Sequence, residues 1–355
     1  MRGKELMRRS IIVTLFIALA LSAAQAGFAA GNSDKSMHPV VFVHGGAIDD
    51  YVSYLLLTTM DNIDLRAVIV TNTDSIPRYA MQAQWKIQKF IKDDEVSVGL
   101  SRARGWNPFP WPYRSDSIRQ HDVEALANSK DNPNWPPFPS GDDLLKDILS
   151  RAVKKNSPVT VLITCPLTTV SDLLRKHPEL KKGIDRLIWI GGAVKVAGNL
   201  DKNTIPAEVA NPEAEWNIFF DPRGSEWLFE NTSFPIILFP LDVTDQARLT
   251  TDFKEKLAAQ ASRFRYSRLV SQGYGLTKNE PFYEMWNTVT TTYLAHPEFF
   301  EKPKKMKLKI VTEGFSQGAI RQSPSGRSVH VVFNIAKKKQ FYNYILEQFK
   351  RDSLL

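Results

Sequence analysis

Short apolar runs alternate with amphipathic stretches along most of this chain, and this alternation limits the folds open to it. The runs Val40 to Val43 and Val159 to Thr164 are continuous and rich in β-branched residues, as expected for buried parallel strands. Segments of helical period stand between the runs, for example at Asp49 to Met60 and Asp142 to Lys155. Strands that alternate with helices indicate βαβ units. We therefore predict an α/β fold with a single open, mostly parallel sheet, helices on both faces and a small β-rich C-terminal part.

The same pattern predicts the remaining elements of one domain over residues 38–355. Further strands are predicted at Leu65 to Thr71, Arg186 to Ile190, Pro235 to Leu241, Lys307 to Thr312 and Ser328 to Phe333. Further helices are predicted at Ala80 to Ile91, Thr251 to Gln272, Tyr283 to Ala295 and Lys338 to Arg351.

A Pro- and aromatic-rich insertion at residues 105–141 interrupts the alternation, and long irregular segments of this kind are often functional loops. Its rings are Trp106, Phe109, Trp111, Tyr113, Trp135 and Phe138. They either pack the insertion onto the domain or form a lid that stacks on a planar ligand.

The start of the chain has the features of a secretory signal peptide. Basic residues Arg8 and Arg9 precede the apolar segment Ile11 to Ala24, which ends in the small-residue pattern Ala24-Gln25-Ala26. This segment is shorter than the span of about 20 residues that crosses a bilayer. We predict a signal peptide over 1–26, a linker over 27–37 and an exported protein, periplasmic or secreted, with no membrane span.

Charge and cysteine content restrict the partners. The net charge of +8 lies partly in the basic start, and the lysine groups at 302–309 and 337–339 lack the interleaved aromatic residues of nucleic-acid-binding surfaces. A nucleic-acid polymer is therefore not expected as a partner. Cys165 is the only cysteine, so no intrachain disulfide can form. Stability must come from the core, and we expect a homo-oligomer.

Polar and glycine residues follow each predicted strand, at the edge where open α/β sheets bind ligands. In chain order they are His44-Gly45-Gly46-Ala47-Ile48-Asp49-Asp50, Thr71-Asn72, Thr164-Cys165-Pro166-Leu167-Thr168, Gly191-Gly192-Ala193 with Gly198-Asn199, and Ala214-Glu215-Trp216-Asn217-Ile218 with Asp221-Pro222. Taken together and in this order, from about Val40 to Ile335, these motifs resemble the inosine-uridine-preferring nucleoside hydrolase family.

The resemblance implies an N-ribohydrolase that cleaves the bond between a base and ribose and holds a calcium ion at the bottom of its pocket. Such an ion binds sugar hydroxyls and polarises a water molecule, and a carboxylate accepts the proton. By resemblance, the nucleoside-binding residues are Asp49, Asn72, Asn199, Glu215 and Asn217. By resemblance, the metal-binding residues are Asp50, Thr164 through its carbonyl, and Asn287.

Three positions depart from the family pattern. Val43 and Gly45 stand where the family has aspartates, and Gly45 takes the position of the general base. Asn287 stands where a later helix supplies an aspartate ligand. Calcium affinity falls as carboxylate ligands are lost, and loss of a general base lowers rates by about 10² to 10⁴. We therefore expect calcium to be weakly bound or absent and catalysis to be weak or lost.

Several alternatives remain open from the sequence. His44 could act as a replacement base or be a turn residue, and Glu284 could be a ligand on the helical face of Asn287 or a solvated residue. Asp242 is expected to end a strand and to contact the site only indirectly. The protein is then a hydrolase with altered metal dependence, an inactive protein that binds a nucleoside or ribose-like ligand, or a structural subunit of a hydrolase oligomer.

Overall fold

The computed structural model contains one sheet of nine strands within the part of the chain that it describes. The strands are β1 (His38–His44), β2 (Ile63–Val70), β3 (Ser97–Leu100), β4 (Val159–Ile163), β5 (Ile184–Ile190), β6 (Ile236–Phe239), β7 (Lys304–Ile310), β8 (Ile320–Gln322) and β9 (Arg327–Val331). Their order in the sheet is β3-β2-β1-β4-β5-β6-β9-β7-β8. Pairing is parallel from β3 to β9, whereas β7 is antiparallel to both β8 and β9. The predicted fold class, with its β-rich C-terminal part, is confirmed.

Helices connect the parallel strands. They are α1 (Ile48–Leu57), α2 (Pro77–Ile91), α3 (Ser115–Arg119), α4 (Gly141–Lys155), α5 (Thr168–Lys176), α6 (Trp216–Phe220), α7 (Pro222–Asn231), α8 (Leu241–Thr244), α9 (Thr251–Ala261), α10 (Arg265–Gly275), α11 (Trp286–Ala295) and α12 (Lys338–Gln348). None of these helices has the length and apolar character needed to cross a bilayer.

The structure describes residues 37–71, 73–111, 115–132, 137–278 and 283–352, and residues 37–355 form one compact unit. The predicted signal peptide lies outside these ranges, as does the predicted linker except for Met37. Asn72, Tyr113 and Trp135 also lie outside the described residues.

Some predicted element boundaries are wrong. The segment Thr251 to Gln272 is two helices, because the first ends at Ala261 and Phe264, whose backbone is extended, precedes the second. The helix predicted from Tyr283 begins only at Trp286. The short strands β3 and β8 have no counterpart in the prediction, since each is too brief to produce a clear apolar alternation.

Alternate side chains of β1 enter two separate cores, one on each face of the sheet. Phe42 belongs to the core that packs against α1, α10, α11 and α12, while Val41 and Val43 belong to the core beneath α4 and α5. This is the period-2 geometry of a strand covered on both sides. Val43 is fully buried beside Ile69 and Ile163, so one of the three replaced aspartate positions is a core position in this protein.

The strand order reverses between β1 and β4, and this reversal positions the site. From β1 the chain proceeds outward through β2 and β3, and from β4 it proceeds in the opposite direction through β5 and β6. A crevice forms at the carboxyl ends of the strands where such an order reverses. The loops that begin at Gly45 and Thr164 both lie at this point.

Candidate active site

A cavity of about 700 Å³ opens at the carboxyl edge of the sheet and collects most of the predicted site residues. Its lining includes Asp49, Asn199, Glu215, Asn217, Thr164 and Asn287. We call Asn199, Glu215 and Asn217 the β5 side, and we call Gly45, Asp50, Thr164 and Asn287 the β1 side. Residues from distant parts of the chain therefore meet around one volume large enough for a small organic ligand.

The β5 side is held by hydrogen bonds to the backbone. Glu215 accepts from the Gly192 amide through Oε2 at 2.9 Å and from the Asn217 amide through Oε1 at 3.0 Å, which makes it the N-cap of α6. The Gly192 backbone has φ 79°, a conformation that favours glycine. Burial raises the pKa of Glu215 to about 7, although these hydrogen bonds oppose the shift. Glu215 and Asn217 therefore lie at the start of a helix.

Two amide side chains complete this side. Asn217 donates through Nδ2 to the Ile190 carbonyl at 3.1 Å, and Asn199 accepts from the Trp216 amide through Oδ1 at 2.9 Å. Among the described residues, no group donates to Oδ1 of Asn217 and none accepts from Nδ2 of Asn199. The first atom is an acceptor and the second a donor, so both suit the hydroxyl groups of a sugar.

Asp50, on the β1 side, is buried, and its carboxylate is fully engaged by the protein. Oδ1 accepts from Thr164 Oγ1 at 2.6 Å and from Asn287 Nδ2 at 2.7 Å. Oδ2 accepts from the backbone amides of Gly45 at 3.1 Å and Ala47 at 2.9 Å. A carboxylate has about four acceptor directions, and these four donors use them.

Asp49 has a similar set of partners. Its Oδ1 accepts from Tyr274 Oη at 2.6 Å and Thr288 Oγ1 at 2.5 Å. Its Oδ2 accepts from the backbone amides of Asn287 at 2.5 Å and Thr288 at 3.1 Å. Burial raises the pKa of Asp49 to about 6, against the lowering effect of these hydrogen bonds. Asp49 thus joins the start of α1 to the start of α11, in addition to lining the cavity.

The donor set does not fit the calcium ion that the family resemblance implies. Asn287 turns its amide nitrogen towards Asp50, and Thr164 donates its hydroxyl to the same carboxylate, so protons occupy the Oδ1 lone pairs of Asp50 that a cation would need. Within the described ranges, no three His, Cys, Asp or Glu side chains are grouped so as to hold a metal. We therefore derive no step through a metal ion.

The two alternative residues, His44 and Glu284, are both held by contacts within the protein. His44 is buried beside Phe42 and Tyr51, its Nδ1 accepts from the Gly46 amide at 3.2 Å, and it is absent from the cavity lining. Glu284 lines the cavity but precedes α11, so it does not share a helical face with Asn287. The Glu284 carboxylate instead accepts from the Leu249 amide at 2.9 Å and pairs with Arg248 at 3.4 Å.

Asp242 supports the loop that follows β5. It lies in α8 rather than at a strand end, and its carboxylate accepts from the amides of Val194 at 2.8 Å and Lys195 at 2.9 Å. Its effect on the cavity is therefore indirect, through the position of that loop.

Several cavity residues were not among the predicted site residues. They include Asp74 and the aromatic residues Trp111, Trp216, Tyr283 and Trp286. Phe109 and Trp111 pack edge-on against Trp216 with ring centroids 5.1 and 5.2 Å apart, so the insertion packs onto the body and also contributes Trp111 to the lining. In the sequence, the only indication of a role for Asp74 was its position two residues after Asn72.

Comparison with known proteins assigns the chain and its fold to a family. A family model described as inosine-uridine preferring nucleoside hydrolase matches residues 41–343. The chain belongs to this nucleoside hydrolase family. In a solved structure, the inosine-uridine preferring nucleoside hydrolase from Bacillus anthracis, the fold superposes with a TM-score of 0.76 at 29% identity, covering 89% of this chain and 100% of that one.

Curated nucleoside hydrolases are more distant in sequence. The pyrimidine-specific ribonucleoside hydrolase RihA of Klebsiella pneumoniae (strain 342) is 26% identical over 61% of this chain, and the match spans 62% of that protein, less than two thirds of its length. RihA of Salmonella agona (strain SL483) is 24% identical, covering 79% of this chain and 86% of its own. A purine-preferring ribonucleoside hydrolase from Gardnerella vaginalis shares the fold at 17% identity and a TM-score of 0.72, covering 88% of this chain and 98% of its own.

Proposed function

We propose that this nucleoside hydrolase family member binds a ribonucleoside in the cavity and hydrolyses its N-glycosidic bond slowly, giving base and ribose. The observation that carries the proposal is the β5 side, where backbone hydrogen bonds hold Glu215, Asn217 and Asn199 in fixed positions around the cavity. Groups held in place before binding lose little entropy when a ligand arrives. The sugar is thus the part of the ligand that this side recognises.

The aromatic lining supports a planar ring as the other part of the ligand. Trp111 and Trp216 lie together on one part of the cavity, and Tyr283 and Trp286 lie together on another, with ring centroids 5.2 and 5.3 Å apart within the pairs. Aromatic side chains offer large flat surfaces for stacking with a purine or pyrimidine. Both base classes occur in the names of the related hydrolases, so this proposal covers both.

The slow rate follows from the β1 side. Asp50 is the single carboxylate there, and protein donors occupy it. We propose that calcium binds weakly or not at all, so a cation contributes little to stabilising the transition state. We therefore expect hydrolysis to be slower than in a site that holds a cation.

A second candidate function is nucleoside or ribose binding without catalysis. It is favoured by the same closed network at Asp50, which keeps the site folded without a cation. A structural subunit of a hydrolase oligomer remains a third proposal. The signal-peptide pattern of the first residues supports export, and a homo-oligomer is proposed from the family resemblance.

Ribose release by the purified mature chain tests the first two candidates together. The substrates are inosine, guanosine, uridine and cytidine, each with added calcium and with a chelator. Slow release that is the same in calcium and chelator supports the proposal. No release, with nucleosides raising the melting temperature, supports the binding protein. Release that requires calcium contradicts the metal assignment, and neither release nor a melting shift contradicts both functions.

A further inference from the structure

The loop after β2 fills the space where a side chain at position 45 would lie. A Cβ atom built on Gly45 would be 2.1 Å from Oδ2 of Asp74 and 2.2 Å from Oγ1 of Thr73. Atoms at these distances overlap, so the two loops share one volume. The missing side chain of one loop and the carboxylate of the other are therefore complementary.

Hydrogen bonds join these two loops along their length. The amide of Thr71 donates to the His44 carbonyl at 2.8 Å, and the amide of Asp74 donates to the Gly45 carbonyl at 3.2 Å. Thr73 donates its hydroxyl to Oδ2 of Asp74 at 3.0 Å. The carboxylate of Asp74 is thus positioned by its backbone and by a neighbouring hydroxyl, and it lines the cavity.

Three buried carboxylates near this end of the cavity hold helix ends and loops in place. Asp49 accepts four hydrogen bonds that connect α1 to α10 and α11, and Asp50 accepts four within the β1 side. Glu215 caps α6. Asp74 is half-buried in the loop after β2 and lines the same cavity. Burial is the main cause that raises the pKa of Glu215, and the negative charge of Asp74 adds to it.

We propose that Asp74 supplies the catalytic carboxylate of this site from the loop after β2, in the space left open by Gly45. This inference rests on the proposed hydrolysis. Asp74 accepts a proton from a water molecule, the water oxygen bonds to the anomeric carbon of the ribose, and the bond from that carbon to the base nitrogen breaks. The electron pair leaves with the base, which takes up a proton from solvent, and Asp74 later returns its proton to solvent. The products are ribose and the neutral base.

The first test compares Asp74→Asn with Asp64→Asn in the full mature chain, using ribose release from inosine and uridine. Asp64 lies at the opposite end of β2 and pairs with Arg66, so it is a matched control outside the cavity. We expect Asp74→Asn to lower kcat at least about 100-fold with KM changed less than threefold, and Asp64→Asn to keep kcat within twofold. A fall of less than about tenfold in kcat for Asp74→Asn overturns the proposal.

The second test moves the carboxylate between the loops. Thr73→Ala with Asp74→Ala should lose activity as Asp74→Asn does. Adding Gly45→Asp to those two substitutions places a carboxylate on the other loop, where the two alanines no longer obstruct it. The kcat of this triple variant should be at least about tenfold higher than that of the double variant. A residue that only stabilises the loop would give no such rescue, so an absence of rescue in a folded triple variant counts against the proposal. Melting temperature and inosine binding establish that each variant is folded.

A binding test separates this inference from the proposed hydrolysis. A five-membered iminosugar with a protonated ring nitrogen carries the positive charge that the ribose ring develops in the transition state, whereas ribose is neutral. We expect Asp74→Asn to weaken iminosugar binding at least tenfold, measured by calorimetry, and ribose binding less than threefold. If the natural chain releases no ribose, hydrolysis fails as the function, and equal weakening of the two ligands, or none, would then overturn the role of Asp74.

Discussion

The β5 side and the β1 side of the cavity are both built from buried polar groups, yet they satisfy those groups in different ways. On the β5 side, Glu215 binds backbone amides, and atoms of Asn199 and Asn217 remain for a ligand. On the β1 side, the amide of Asn287 and the hydroxyl of Thr164 both donate to Asp50, which closes the network on itself. The β5 side keeps polar atoms available for a ligand, as the proposed sugar binding requires, while the β1 side satisfies its buried carboxylate with protein donors.

The difference depends on the residue type at position 287. A carboxylate at position 287 would face Asp50 at hydrogen-bonding distance and would need a cation between the two charges. An amide at that position supplies a proton instead. An amide in place of a carboxylate at position 287 therefore lowers the charge of the site and also avoids repulsion with Asp50.

The largest effect is expected for Asn287→Asp, which removes the hydrogen bond that Asn287 donates to Asp50 on the β1 side. Two buried carboxylates would then face each other, and a buried charge without a partner costs about 3 to 5 kcal/mol. Urea denaturation at pH 7 in chelator should show this loss in the free energy of unfolding, and added calcium should recover part of it. Asn287→Ala, which removes the donor without adding charge, should cost about 1 to 3 kcal/mol and show no calcium effect. A fully stable Asn287→Asp chain would refute this account of the β1 side.

The next effect concerns pH and Asp49. Its pKa is raised from 3.8 to about 6 in the folded protein, so between these values the unfolded chain is ionised while the folded chain keeps the proton. Rising pH therefore lowers the free energy of unfolding across this window. The stabilisation that Asp49 contributes at low pH, about 2 to 3 kcal/mol, is lost as the pH rises through about 6.

Asp49→Asn should remove this part of the pH dependence. An amide keeps one oxygen for the backbone amides of Asn287 and Thr288, and the hydroxyls on the other side can accept from its nitrogen. Free energies of unfolding measured from pH 4 to pH 7 should fall less steeply in this variant than in the natural chain. Asp64→Asn is the control, and equal slopes for Asp49→Asn and the natural chain would contradict the prediction.

The smallest effect expected is on the β5 side, where a single hydrogen bond to the ligand is removed. Asn217→Ala should raise the dissociation constant for inosine about three- to tenfold, the value of one hydrogen bond of about 0.5 to 1.5 kcal/mol. Calorimetry in chelator measures it. Asn231→Ala removes an exposed amide at the end of α7 and should leave the affinity unchanged. Unchanged affinity in Asn217→Ala would mean that the sugar binds elsewhere.

Much of the fold could be predicted because strand and helix periods are properties of short segments. The buried runs at β1 and β4 predicted parallel strands, and the residues after them predicted which loops would meet. Prediction was less accurate where an element ends by contact with another part of the chain. Glu284 was expected on a helix, but its carboxylate holds the Leu249 amide before α11 begins.

The sequence predicted most of the residues that form the site, but it did not predict the hydrogen bonds that join them. Asn199, Glu215, Asn217, Thr164 and Asn287 were all expected near one ligand, and the structure brings them around one cavity. That Asn287 donates to Asp50 depends on the position of α11 relative to α1, which involves residues more than two hundred positions apart.

The sequence by itself determined the alternation of strands and helices, the family resemblance and the absence of carboxylates at positions 43, 45 and 287, since all of these follow from residue type and spacing. Only the tertiary structure decided that the volume beside Gly45 contains the Asp74 carboxylate and that Asp50 is satisfied by protein donors. The physical reason is that side-chain proximity between loops depends on strand register and helix packing, which no local pattern encodes.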